Sequence, residues 1–189
     1  QETVMFDELS VAENIFMGHM PGRTPGFIDW PQMRQRTAEL LKSIEADFDP
    51  DDKLKQLREL GVWVSAPSGN HNFTKGISWP ACQPLCFAIG AVRPGKDEVY
   101  LDRHAKIDLV VPAAATSSSN AIVCGAVLLL REAIFKREYD WKRDGANLPE
   151  AMLAILQRTG PAVLDPATQL TFHRLDVKAA LDDVFGRAK

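Results

Sequence analysis

The stretch Ile107-Asp108-Leu109-Val110-Val111-Pro112-Ala113-Ala114-Ala115-Thr116-Ser117-Ser118-Ser119-Asn120-Ala121-Ile122-Val123-Cys124-Gly125-Ala126-Val127-Leu128-Leu129-Leu130 decides the fold. Residues 107–111 form a short, largely apolar run stopped by a proline, the pattern of a strand buried on both faces. A cluster of hydroxyls follows and opens a long apolar helix, expected over 118–136. The start of a helix presents free N–H groups and partial positive charge, which is where a nucleophilic serine would be held. Serine is also a common capping residue, so this segment fits a plain α/β unit equally well.

The same alternation extends outward. Residues 61–66 and 85–92 are further short apolar runs bounded by Gly or Pro and read as strands, and 149–158 and 177–185 read as helices. Strands alternating with helices predict an α/β class, a parallel sheet with flanking helices. Upstream, Ser10 with Glu13 makes a capping box for a short helix. Asp29 can cap a second helix with Pro31 in its first turn and Met33, Leu40, Leu41 and Ile44 at helical spacing. A short helical segment is therefore expected to precede the sheet.

Several words around the serine carry a family resemblance. Thr116-Ser117, then Val123-x-Gly125-Ala126 and a leucine run, resembles the nucleophile motif of the subtilisin-like serine peptidases, usually G-T-S-x-A-x-P-x-V-A-G-A. Gly61-Val62-Trp63-Val64-Ser65-Ala66-Pro67-Ser68-Gly69-Asn70 resembles the strand that ends in that family's oxyanion asparagine. Ile77-Ser78-Trp79-Pro80-Ala81-Cys82 and Ala88-Ile89-Gly90-Ala91-Val92 resemble its "PA…viaVGAv" segment. Thr159-Gly160 and Arg174-Leu175-Asp176-Val177-x-Ala179-Ala180-Leu181 resemble the closing helices of some bacterial members. Order and spacing agree from about Leu60 to Phe185.

The resemblance implies a serine endopeptidase that cleaves peptide or protein substrates through an acyl-enzyme, with Ser117 as nucleophile and Asn70 as oxyanion-hole donor. A serine hydroxyl needs a base to take its proton, and a side-chain amide aimed at the oxyanion lowers the barrier. From the residues alone, Gly69-Asn70 reads as a turn after a strand. The sequence departs from the family pattern at Ala115, Ala121 and Ile122. The family's acid and base motifs, D-T/S-G and H-G-T-x-V, should precede Asn70 and do not occur; His19 is the sole histidine upstream and has none of that context. The domain is thus expected to be incomplete, inactive alone, and open at the sheet edge where earlier strands would pair. One substitute is His104 in Asp102-Arg103-His104, recruited as base, against the plain reading of a solvated turn. His71 and His173 have no supporting pattern.

Residues 1–57 carry a second resemblance, to the ATP-binding subunit of sugar-type ABC importers. Its words are Gln1-Glu2-x-x-x-Phe6-x-x-Leu9-Ser10-Val11-Ala12-Glu13-Asn14-Ile15-Phe16-Met17-Gly18, then Ile28-Asp29-Trp30, Met33-x-x-Arg36-x-x-Glu39-Leu40-Leu41 and Asp47-x-Asp49-Pro50. Gln1 matches the Q-loop glutamine, which in that family senses Mg²⁺ and the attacking water and couples to the membrane subunit. No G-x-x-x-x-G-K-[ST] phosphate cradle occurs, so Gln1 has no nucleotide-binding partners in this chain. The resemblance implies a membrane permease as a possible partner of residues 1–57. Two readings therefore stand beside the peptidase: a fragment of an importer ATPase, and a non-enzymatic interaction module.

Charge marks a join near residue 57. Residues 1–57 hold six basic and eleven acidic side chains, a net of −5, while residues 58–189 hold sixteen and fourteen, a net of +2. The expected units are 1–57 and 58–189. No basic stripe with interleaved aromatics points to nucleic acid. The apolar run 121–130 is too short to span a bilayer, so no membrane insertion is expected. The chain as given carries no secretory signal, which favours the cytoplasm. No metal or cofactor is expected: Cys82, Cys86 and Cys124 lack a second ligand pair and read as free thiols, with Cys124 in the core.

Overall fold

The computed structural model describes residues 9–17, 19–24, 27–46 and 49–187. The first elements are α1 (Val11–Ile15), the antiparallel pair β1 (Gly22–Thr24) and β2 (Phe27–Ile28), and α2 (Trp30–Ser43). Both sequence-derived caps are present. The Ser10 Oγ accepts from the Glu13 N–H at 3.2 Å while the Glu13 carboxylate accepts from the Ser10 N–H at 2.8 Å. Asp29 accepts from the Gln32 N–H at 3.1 Å, with Pro31 in the first turn of α2. Val11 and Leu41 join Leu57 in a small core against Val62 and Val64.

Leu57 lies on α3 (Leu54–Glu59), a helix the sequence reading did not expect. Its end explains why the strand expected over 61–66 starts later. The Gly61 N–H bonds the Arg58 carbonyl at 3.1 Å and the Val62 N–H bonds the Leu57 carbonyl at 2.8 Å, with Gly61 at φ +83°. That pair of bonds is a Schellman motif, for which a left-handed glycine is the fitting residue. Residues 61–62 are therefore used to close α3, and β3 spans Ser65–Pro67.

The sheet is built on β4 (Phe87–Val92), every residue of which is buried. β3 pairs with it in parallel (Ala66 opposite Ala88), and β6 (Ile107–Pro112) pairs in parallel along the other edge (Gly90 opposite Val110). The short β5 (Val99–Tyr100) runs antiparallel beyond β3, with Tyr100 opposite Ala91. The Leu175 N–H bonds the Val110 carbonyl at 2.9 Å and covers the outer edge of β6. Among the described residues β3 pairs with β4 alone.

Three helices lie on one face: α4 (Thr116–Lys136), α5 (Leu148–Thr159) and α6 (Val177–Arg187). Val123, Val127, Leu130 and Ile134 of α4 meet Ile89, Leu109 and Val111 of the sheet, together with Met152, Ile155 and Val184. Each such side chain contributes about 1.5–3 kcal/mol by leaving water. The opposite face holds a hairpin absent from the sequence reading, β7 (Ala162–Asp165) and β8 (Leu170–His173), whose Val163 and Phe172 cover Ala88, Val92 and Val110. Helix α4 is long and apolar enough to cross a membrane by composition, yet one side of it is built into this core.

One expectation is corrected by this packing. Cys124 is exposed: its Sγ lies 3.8 Å from Ser65 Oγ of β3, at the sheet edge that no further strand covers among the described residues. Cys86 is buried and Cys82 exposed, and none of the three cysteines is in a disulfide among the described residues.

Candidate active site

Helix α4 begins two residues earlier than expected, so Thr116 and Ser117 occupy its first turn. Its N-cap is Ala115, whose extended backbone carries no side-chain acceptor. The missing acceptor arrives from across the fold. The Asn70 Oδ1 accepts from the Thr116 N–H at 3.0 Å and from the Thr116 Oγ1 at 3.1 Å. Thr116 Oγ1 in turn accepts from the Gly69 N–H at 3.2 Å. Thr116 is fully buried, so this knot fixes the loop after β3 onto the start of α4.

The geometry brings the two sequence-derived site residues together. Ser117 is exposed one residue further on, and its backbone N–H is among the donors that a helix leaves unsatisfied in its first turn. Among the described residues, no hydrogen bond engages the Ser117 hydroxyl.

The loop runs too close to its neighbours for a side chain at position 69. Gly69 sits at φ +112°, and a Cβ there would lie 2.1 Å from Asp102 Oδ2 and 2.2 Å from Ser78 Oγ. Asp102 is fully buried beneath it and accepts from the Phe73 N–H at 2.9 Å and from Ser78 Oγ at 3.2 Å. The His71 Nδ1 lies 3.5 Å from the same carboxylate, and its ring stacks on Phe73 with centroids 5.2 Å apart. No pattern in the sequence singles out His71. Its pairing with a residue 31 positions away exists only in the folded chain.

His104 is not brought to Ser117. It lies exposed in the turn before β6, with its Nδ1 accepting from the Lys106 N–H at 3.2 Å. Ser117 follows the far end of the same strand, and six extended residues separate the two ends by roughly 16 Å. Asp102, two residues before it, lies beside His71. His173 lies in β8, and His19 is exposed in the loop after α1. Among the described residues, no histidine bonds the Ser117 hydroxyl. Gln1 lies outside the described residues.

Comparisons with known proteins divide along the chain. No family model matches it. A 62-residue segment, 33% of the chain, is 56% identical to the ribose import ATP-binding protein RbsA 1 of Rhizobium meliloti, and a 57-residue segment is 53% identical to that of Agrobacterium fabrum. The matches span 12% and 11% of those relatives' own lengths. Among solved structures, the self-cleaved protease domain of PatA superposes with a TM-score of 0.56 at 18% identity, covering 82% of this chain and 68% of that one. The prenylagaramide maturation protease PagA gives 0.56 at 16% over the same shares. The chain therefore has an α/β fold with the partial parallel sheet and flanking helices of subtilisin-like protease domains, and about a third of it is similar to ribose-importer ATP-binding proteins.

Proposed function

We propose that Ser117 is the nucleophile and Asn70 the oxyanion donor of a subtilisin-type acyl-transfer site that lacks its general base. The observation that supports this reading is the Asn70–Thr116 knot, which ties the Asn70 side chain to the residue next to Ser117 at the start of α4. In the reaction the Ser117 Oγ attacks a carbonyl carbon and its proton is lost. The carbonyl π electrons move onto the oxygen, which these donors stabilise. Collapse expels the amine with a proton, and water then releases the acid. Without a histidine on the hydroxyl, the Ser117 proton goes to solvent. What remains is oxyanion stabilisation and binding, worth roughly a thousandfold over water.

The test is a fluorophosphonate, whose fluoride leaves without needing a proton, read by intact mass beside S117A. Slow labelling at one site, absent in S117A, with no cleavage of casein, is the expected result. Casein cleavage at rates typical of serine peptidases would show that a base is present. A folded chain inert to the reagent would show that Ser117 is not activated at all.

A second reading concerns residues 1–57, taken as a unit distinct from 58–189. Their similarity to ribose-importer ATP-binding proteins supports a membrane permease as partner. Leu40 and Ile44, one turn apart and exposed at the end of α2, offer an apolar contact for it. Co-purification with a ribose-type permease in detergent, lost in L40E/I44E, is expected; recovery of the variant at the level of the unaltered chain would refute it.

A further inference from the structure

We propose that Asp102 is a positioning residue for acyl transfer, acting through Asn70; this rests on Ser117 as nucleophile and Asn70 as oxyanion donor. A fully buried carboxylate is costly unless hydrogen bonds satisfy it, and an apolar side chain would fill the same space without that cost. Asp102 lies between β5 and β6 and directs both its side chain and its backbone at one short segment. Its Oδ1 accepts from the Phe73 N–H at 2.9 Å, and its Oδ2 accepts from the Ser78 hydroxyl at 3.2 Å. Its backbone carbonyl accepts from the Ser68 hydroxyl at 3.0 Å, and its backbone N–H donates to the Gly69 carbonyl at 3.3 Å. Ser68, Gly69 and Phe73 flank Asn70 on both sides.

Charge pairing within the core does not account for this carboxylate. Arg103, next in the chain, pairs with Asp165, its Nε 3.2 Å from Oδ2, and its Nη1 donates to the Val99 carbonyl at 3.2 Å. The ionisable group beside Asp102 is His71, with Nδ1 3.5 Å from Oδ2, and it belongs to the same loop, one residue after Asn70. Leu101, just before Asp102, takes φ +65°, a region that a bulky side chain rarely enters. Such outliers persist where the surrounding structure holds them, and they gather at functional sites.

The Asn70 side chain needs this second anchor. An oxyanion donor helps only when its N–H stands where the charge develops, and a displacement of about 1 Å can cost about 100-fold in rate. Thr116 holds Asn70 through Oδ1 alone. One fixed atom does not set the direction of the NH2 group on the other side of the amide. Fixing the backbone before and after Asn70 as well leaves the amide one orientation, and Asp102 is the residue that does so.

Fluorophosphonate labelling of the full chain, read by intact mass beside a thermal melt, tests the role. At a temperature where both are folded, D102A is expected to label about 10- to 100-fold more slowly than the wild type. D102N keeps an oxygen for the Phe73 N–H and an amide for the Ser78 hydroxyl, so it should recover most of that rate. N70D/D102A should label no more slowly than N70D, because Asp102 acts only through Asn70. A residue that only stabilises the fold would leave the rate of the folded chain unchanged or slow N70D further; either result overturns the proposal, as does D102N labelling as slowly as D102A. If D102A does not fold, S78A takes its place by removing one bond from the same carboxylate. Slower labelling in S78A, with no added effect on N70D, supports the role, and a wild-type rate overturns it. A wild-type chain that does not label, or N70D labelling as fast as the wild type, overturns the reading of Ser117 and Asn70 and this role with it. Slow N70D beside an unaffected D102A overturns the role of Asp102 alone.

Discussion

Asn70 is expected to do two jobs through two different atoms, and two substitutions separate them. Asn70→Ala removes both. It leaves the Thr116 N–H and hydroxyl without the acceptor now at 3.0 and 3.1 Å, at a helix start whose N-cap offers nothing. A lost cap costs about 0.5–2 kcal/mol, and an unsatisfied buried donor about 1–3. Asn70 is itself exposed, so water can replace part of the lost bonding, which sets the expected loss near 2 kcal/mol. For a chain of this size that lowers Tm by about 4–8 °C. Asn70→Asp keeps an oxygen for Thr116 and places a negative charge at the positive end of α4, so stability should stay within about 0.5 kcal/mol. It removes the amide donors, and loss of one such donor in subtilisin-type sites slows reaction about 100- to 1,000-fold. The assay pairs a thermal melt with the fluorophosphonate labelling rate. If N70D melts like the wild type and labels as fast, Asn70 is a cap and nothing more, and its assignment as oxyanion donor is refuted.

Other expectations follow from the same geometry. Gly69→Ala should destabilise by more than about 2 kcal/mol, since a Cβ would overlap Asp102 and Ser78 at a positive φ; a melt within 2 °C of the wild type would refute the clash. Leu130→Ala, at the fully buried centre of α4, should cost about 2–5 kcal/mol in a denaturant titration. Burial pushes the Asp144 carboxyl up, but hydrogen bonds from Tyr139 and Arg158 outweigh it and hold the group below its ordinary range. A depressed folded value stabilises the fold above the ordinary carboxylate pKa, and that contribution is lost as pH falls through the folded value. D144N should therefore flatten the loss of stability below about pH 4, and an unchanged acid limb would count against the Tyr139–Asp144–Arg158 network.

How much was legible depended on whether the signal was local. The Ser10–Glu13 and Asp29 caps, β4, β6 and α4 are set by neighbouring residues or by long apolar runs, and all appear, with α4 starting two residues earlier and β4 two residues later than expected. α3 escaped notice because its stop, Gly61, was taken as the start of a strand. The β7–β8 hairpin escaped because its turn lacks glycine: Gln169 takes φ +60°, and Asp165 braces the turn by accepting from the Ala167 N–H and the Thr168 hydroxyl. Cys124 looked like core because apolar residues surround it in sequence, whereas a helix face open to solvent is a property of the assembled layers. The serine and asparagine could be read from their words. Their mutual fixation through Thr116, and the seating of His71 on Asp102, could not, since both join residues 30 or more positions apart.

The small core of Val11, Leu41 and Leu57 against Val62 and Val64 has a consequence for the order in which the chain acquires its structure. Every member lies before residue 65, so the whole of this core is synthesised before β4 and β6. The parallel sheet instead waits for β6, because β4 has only the three residues of β3 and the two of the antiparallel β5 beside it until residue 107 emerges. During synthesis the first third can therefore collapse onto Val62 and Val64 while the rest of the sheet is still unmade. Val11, Leu41 and Leu57 are then in place to hold Val62 and Val64, just ahead of β3, when β4 and β6 arrive.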